Sequence, residues 1–213
     1  MIKEENMRNQ SGFTLIEAMI VIAVIGLMAA VAVTNSLSYL PDKRLKSAAR
    51  DLHSNLQKAK GLASKTNTPH AVFFDTVAGN YQILTDPGPD GNWGTGDDTD
   101  DHPGPDGLHG NADDIPEPRP VTLANYKSNV AYGHGNAATN ATLSGGAFPG
   151  DDVSFNNNIV VFDSRGMLLN VGPFMVGYVY LSNNNNSAFA VGVPVITGNI
   201  QLSKWYSASN SWD

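Results

Sequence analysis

Residues Phe13–Val33 make an apolar run of 21 residues broken by one charge, Glu17. As a helix rising about 1.5 Å per residue, the run would be roughly 31 Å long, close to the ~30 Å hydrocarbon core of a bilayer. A carboxylate in that environment costs roughly 2.5–3.5 kcal/mol even on insertion-based scales, so a lone one there points to a function. Ahead of the run lies a polar leader, residues 1–12, in which Lys3 and Arg8 stand against Glu4 and Glu5. Basic residues before an apolar span mark the side held in the cytoplasm, and acidic ones count for little in that rule. A secretory signal is cut after its apolar region, whereas here the polar-to-apolar switch at Gly12-Phe13 comes before it. On these residues alone, the simplest reading is a single-pass anchor.

The stretch Ser11-Gly12-Phe13-Thr14-Leu15-Ile16-Glu17, with the apolar run behind it, resembles the class III leader and N-terminus of type IV pilins and pseudopilins. The resemblance implies cleavage by a prepilin peptidase after Gly12 and methylation of the new N-terminus at Phe13. It also implies that Glu17 pairs with a neighbouring subunit's N-terminal amine as a filament grows. The implied partners are other pilins or pseudopilins through the N-terminal helix, the prepilin peptidase, and inner-membrane lipid before assembly. The implied location is the inner membrane, single pass with a cytoplasmic leader, the β-domain lying in the periplasm or in an extracellular filament. An ammonium met in the membrane would offset the cost of the Glu17 carboxylate.

Beyond Val33 the pattern becomes an amphipathic helix. Leu45, Ala48, Ala49, Leu52, Leu56, Ala59, Leu62 and Ala63 recur at spacings of three and four, with basic and polar residues between them. Pro41 has no N–H and is expected to interrupt the helix near Ser38, Gly26 is a second weak point, and Asn67-Thr68-Pro69 ends it. Two strands, His70–Asp75 and Asn80–Thr85, follow as a hairpin through Val77-Ala78-Gly79. After Pro120 further strands are expected at Val153–Phe155, Ile159–Phe162, Met167–Val171, Gly177–Leu181, Ala188–Val193 and Asn199–Tyr206. The fold class is therefore α+β: one long N-terminal transmembrane and amphipathic helix packed on an antiparallel β-sheet. The expected division is a leader at 1–12, a transmembrane segment at 13–35, an amphipathic helix at 36–66 and a β-domain at 67–213. The run Val161-Phe162-Asp163-Ser164-Arg165-Gly166 and the late Ala190–Leu202 hairpin are similar to the H-type pseudopilins and their minor-pilin relatives (GspH/FimT-like). There they are turn and core positions.

The acidity is concentrated in one insertion, residues 86–118. Nine aspartates and no Lys or Arg lie between Asp86 and Asp114; taking them from the 20 acidic residues leaves 11 against 13 basic ones. Pro87-Gly88-Pro89-Asp90-Gly91 returns as Pro103-Gly104-Pro105-Asp106-Gly107, a period of 16 residues. Set on a twelve-residue calcium loop, Asp86, Asp90, Gly91 and Asp97 take positions 1, 5, 6 and 12, and His102, Asp106, Gly107 and Asp113 repeat them. The prolines exclude the entering helix of an EF-hand. A helix-free Ca²⁺ site built from Asp86, Asp90, Asp97, Asp98, Asp106, Asp113 and Asp114 is one reading, and a solvated acidic loop is the other.

Cysteine is absent, so there is no disulfide, thiolate ligand or thiol nucleophile. The five histidines show no HExxH spacing, and neither a phosphate loop nor a GxSxG elbow occurs, so the chain does not read as an enzyme. Trp93, Trp205 and Trp212 are candidates for core or interface, with Trp93 placed at a loop tip as a partner contact. The functional expectation is a minor pilin or pseudopilin of a type II secretion pseudopilus or type IV pilus. A major pilin, a calcium-dependent adhesin and a DNA-uptake pilin remain alternatives. Nucleic acid is disfavoured, because Leu202–Asp213 offers only Lys204.

Overall fold

The computed structural model describes residues 13–88, 91–93, 101–102, 115–116, 120–142, 145–169 and 177–213, with the backbone alone at 31–37, 101–102 and 115–116. The chain divides into two compact units, Met1–Leu40 and Pro41–Asp213.

In the first unit, helix α1 spans Leu15–Ser38. Thr14 starts it: its hydroxyl accepts the Glu17 N–H at 3.3 Å, which satisfies one of the donors a helix N-terminus leaves without an intrahelical partner. Gly26 does not interrupt the helix. From Phe13 to Met28 the large apolar side chains are exposed. No helix of the described residues is long and apolar enough to cross a membrane. Side chains are described as far as Ala30, and Leu15–Ala30 would measure only about 24 Å.

Helix α2, Leu40–Thr66, opens the second unit after a turn at Tyr39. Pro41 explains the interruption, because its nitrogen has no hydrogen to donate to a carbonyl one turn back. At the other end Asn67 takes a left-handed φ of 59°, a common way to stop a helix. The predicted apolar face is the buried one: Leu45, Ala48, Ala49, Leu52, Leu56, Ala59 and Ala63 are fully covered, and Leu62 is half-buried at its margin.

The strands are β1 (His70–Asp75), β2 (Asn80–Leu84), β3 (Asp101–His102), β4 (Ile115–Pro116), β5 (Val121–Thr122), β6 (Ala131–Tyr132), β7 (Ile159–Phe162), β8 (Gly177–Ser182), β9 (Ala188–Val193), β10 (Gln201–Tyr206) and β11 (Ser211–Trp212). They form two main antiparallel sheets, β5-β2-β1-β7 and β11-β10-β9-β8-β6, plus the small pair β3-β4. A single sheet is what the alternation pattern led us to expect. Alternation tells which face of a strand is covered but not which strand lies beside it, so the division was not readable. Val153–Phe155 supplies only a bridge from Val153 to Val179, since the Ser154 hydroxyl takes the Tyr178 N–H at 2.7 Å in place of a backbone acceptor. The expected strand Met167–Val171 is reduced to a bridge between Leu168 and Phe162, and its last two residues lie outside the described ones.

Helix α2 serves both sheets. Val72, Phe74, Ile83, Val160 and Phe162 of the first sheet join one core with Val179, Leu181, Phe189, Val191 and Val193 of the second. The opposite faces are also covered. Ala71, Leu84, Ile159 and Val161 lie under Trp93, while Tyr178, Tyr180 and Ala190 lie under Ala141, Phe148 and Trp212.

Two carboxylates tie turns to this core. Asp42, in the first turn of α2, accepts from Asn183 (2.9 Å), Asn185 (3.4 Å) and Ser187 (2.8 Å) around the β8–β9 turn. Burial alone would raise its pKa; those hydrogen bonds and the Lys204 charge outweigh burial and hold it below the usual carboxylate range. Asp163 accepts from the backbone N–H of Arg165 and Met167 and from the Arg165 guanidinium. Burial again opposes, and the hydrogen bonds together with the Arg165 charge again win, leaving its pKa lowered.

Leu52→Ala is expected to cost about 2–5 kcal/mol in a denaturant titration, because a fully buried side chain leaves a cavity between helix and sheets. A depressed folded-state pKa stabilises above the unfolded value of about 4 and ceases to do so as pH falls through the folded value. The melting temperature should therefore fall with pH below about 4, and Asp42→Asn should make that fall shallower.

Candidate functional site

The junction predicted as the processing and assembly site falls at the start of α1. Gly12 lies outside the described residues. Phe13 is 83 % exposed, and it precedes the capping residue rather than sitting in the helix. Glu17 is exposed in the first helical turn. Thr14-Leu15-Ile16-Glu17 also has the spacing of a capping box, in which a Ser or Thr cap is followed three residues later by Glu or Gln. That local role was missed in the sequence reading, although the pattern was there to be read. A carboxylate there is also favoured by the helix dipole, by roughly 0.3–1 kcal/mol at exposed sites. The arrangement thus offers an anionic group one helical turn inside an accessible N-terminal segment, and a cation is its complement.

The acidic insertion contributes less to a described site. Of the predicted calcium ligands, only Asp86 falls among residues with described side chains, where its carboxylate accepts the Gly88 N–H at 2.8 Å. Asp90, Asp97, Asp98, Asp106, Asp113 and Asp114 lie outside the described residues, and of His102 only the backbone is described. No group of three or more His, Asp or Glu able to hold a metal is present among the described residues. Within the insertion, Asp101 pairs with Pro116 and His102 with Ile115 as a short ladder. Trp93 corrects its own expectation: it is 8 % exposed and packs on Ala71, Leu84, Ile159 and Val161, so it roots the insertion on the first sheet instead of offering a free contact. An indole buries a large apolar area, and the uncovered outer face of that sheet is where it can do so. Trp205 is buried beside Ala137 and Ala188, with Trp212 in edge contact at 5.4 Å.

Other chemistry-bearing groups have structural partners. His134 and Asp152 are in contact at 2.5 Å, and the imidazole stacks on Phe148. The Asp163–Gly166 turn lies against α2. There Lys60 donates to the Gly198 carbonyl at 2.8 Å, and Gly198 has a left-handed φ of 71°. A Cβ on Gly198 would run into the Gly166 carbonyl, so the late glycine is set by close approach of two turns.

No curated protein and no solved structure matches the chain. Residues 7–33 match the family model of the prokaryotic N-terminal methylation motif. That segment is the type IV pilin-type prepilin signal, and it implies a pilin-like or pseudopilin precursor processed by prepilin peptidase and assembled with other pilin subunits.

Proposed function

We propose that the chain is a minor pilin or pseudopilin that waits in the inner membrane and is drawn through its N-terminal helix into a type II secretion pseudopilus or a type IV pilus. The observation that carries this is the methylation motif at residues 7–33, which takes in the exposed apolar stretch of α1. Cleavage after Gly12 would free the amine of Phe13 for methylation. The apolar run Phe13–Val33 would hold the subunit in lipid, with the leader in the cytoplasm. Glu17 would take the N-terminal amine of a neighbour, which makes its charge tolerable once water is excluded. The turn glycines and core strands of the C-terminal half support a GspH/FimT-like relative. The role is structural.

For the acidic insertion we keep calcium as the ligand. The support is the 16-residue repeat, which sets carboxylates at recurring positions on a glycine-rich backbone. Nine carboxylates without a cation would also repel one another.

The intact mass and N-terminal sequence of the native protein test the main proposal. A chain starting at a methylated Phe13 is expected, and a retained Met1 would overturn it. Gly12→Val should leave the leader in place. Glu17→Gln separates the two roles of that residue, because glutamine still serves a capping box but carries no charge. Processing should continue in this variant while the subunit disappears from sheared filaments; normal incorporation would reduce Glu17 to a cap. For calcium, the melting temperature of the chain should rise in millimolar Ca²⁺ over chelator, by an amount equivalent to about 2.7 kcal/mol at a hundredfold excess over Kd. An unchanged melting temperature would remove calcium from the account.

A further inference from the structure

From Phe13 to Asp42 there is no Lys or Arg, and then four of the eight residues from Lys43 to Arg50 are basic. Arg44 is engaged within its own domain, where it donates to the Ser128 hydroxyl at 2.7 Å. Lys43, Lys46 and Arg50 are exposed and recur at spacings of three and four, which sets them within about 60° of one another around α2. Further along the helix the same strip passes through Gln57, Gly61 and Ser64, all exposed and uncharged. The stripe is thus confined to the turns of α2 that follow the apolar run. The two carboxylates of the helix are taken: Asp42 is held by Asn183 and Ser187, and Asp51 accepts the Tyr126 hydroxyl at 2.7 Å. Among the described residues no carboxylate forms an ion pair with any of the three cations. Membrane topology does not call for these charges either. Cations that orient a span belong on its cytoplasmic side, where the leader has Lys3 and Arg8, whereas the stripe follows the run on the opposite side.

We propose that Lys43, Lys46 and Arg50 dock α2 on the anionic lipid headgroups of the bilayer that holds the apolar run, which rests on the membrane insertion proposed above. Chain connectivity favours lipid as the occupant. Only nine residues separate Val33 from Lys43, so the two are roughly 15 Å apart where the chain is helical. The headgroup layer fills about 5–8 Å beyond the hydrocarbon core, and the long stems of Lys and Arg carry their charges toward it. Shape favours it as well. The three cations form a line about 10 Å long on one side of the helix, so a flat anionic surface meets all three at once when α2 lies along it. Cleavage after Gly12 would remove Lys3 and Arg8, leaving the stripe and Arg44 as the cations nearest the run. The docking would hold the β-domain against the membrane by a salt-sensitive attraction until the subunit enters a filament.

The test uses the full-length chain in nanodiscs loaded with one copy each, so that a second copy cannot supply the contact. Because the chain has no cysteine, Ser47→Cys, an exposed position beside the stripe, carries a single fluorophore. A quencher is placed on the lipid headgroups. The label should be quenched in discs containing phosphatidylglycerol and not in discs of phosphatidylcholine alone. Quenching should fade in about 1 M salt, where the Debye length is about 3 Å. Lys43→Gln, Lys46→Gln and Arg50→Gln should each lower the ratio of docked to undocked chains about fivefold. Glutamine keeps the helix propensity, and the triple variant, its fold verified by circular dichroism, should behave in anionic discs as the unsubstituted chain does in neutral ones. Equal quenching in the two lipids, or a triple variant quenched as strongly as the unsubstituted chain, would overturn the proposal. A chain that resists alkaline extraction yet is quenched equally in both lipids removes the docking and leaves the membrane reading in place. Extraction from both membranes removes that reading and the docking with it.

Discussion

Helix α2 has to cover two sheets at once, and the remaining packing follows from how it does so. Its buried face alternates bulk with absence of bulk: Leu45, Leu52 and Leu56 reach into the core, while Ala48, Ala49, Ala59 and Ala63 let the strands come close. With both inner faces closed by one helix, each sheet still has an apolar outer face to hide. Trp93 packs on the first, and Ala137, Ala141 and Phe148 with Trp212 pack on the second. This two-sided covering explains why β8 and β9 are buried at nearly every position instead of alternating. It also explains why Phe148 and Trp93, in stretches that read as surface loops, pack on apolar sheet.

The polar contacts have a different task. Asp42 reaches from the first turn of α2 to the β8–β9 turn, and Lys60 reaches from its later turns to Gly198. Hydrophobic burial is non-directional and would tolerate small slides of the helix along the sheets, whereas these hydrogen bonds tolerate none. They fix where along its axis α2 docks. That makes the Asn183–Ser187 turn and the Gly166–Gly198 approach the points that set the geometry of the β-domain on its helix.

Much of this was legible from residue patterns, and the limits have physical causes. The α2 face, its stop at Asn67, and strands β1, β7 and β9 follow from periodicity and turn chemistry, which are local. The division into two sheets depends on which edges meet, and that is decided by contacts far apart in sequence. Strands of two residues, such as β5, β6 and β11, are too short to carry any alternation. Trp93 was misplaced for a related reason: in a run of Gly, Pro and Asp its neighbours advertise a solvated loop, and only the uncovered sheet face explains its burial. At the candidate site the charge and the junction were both readable, but the capping role of Thr14 was hidden behind the more conspicuous membrane-length run.

That cap bears on how Glu17 can exist in this position. A favourable helix dipole contributes roughly 0.3–1 kcal/mol, less than the roughly 2.5–3.5 kcal/mol that a buried carboxylate costs, so local helix chemistry does not by itself justify the residue in an apolar run. The amine of its own processed chain is poorly placed to supply the difference. Phe13 precedes the cap and lies outside the helix, so it is not stacked beneath Glu17 at the one-turn spacing that pairs helical side chains. A cation from another molecule has no such restriction. The same structural detail gives Glu17 an ordinary duty at the helix start, and among the described residues no cation pairs with its charge, which is why the proposed assembly gives it the N-terminal amine of a neighbouring subunit.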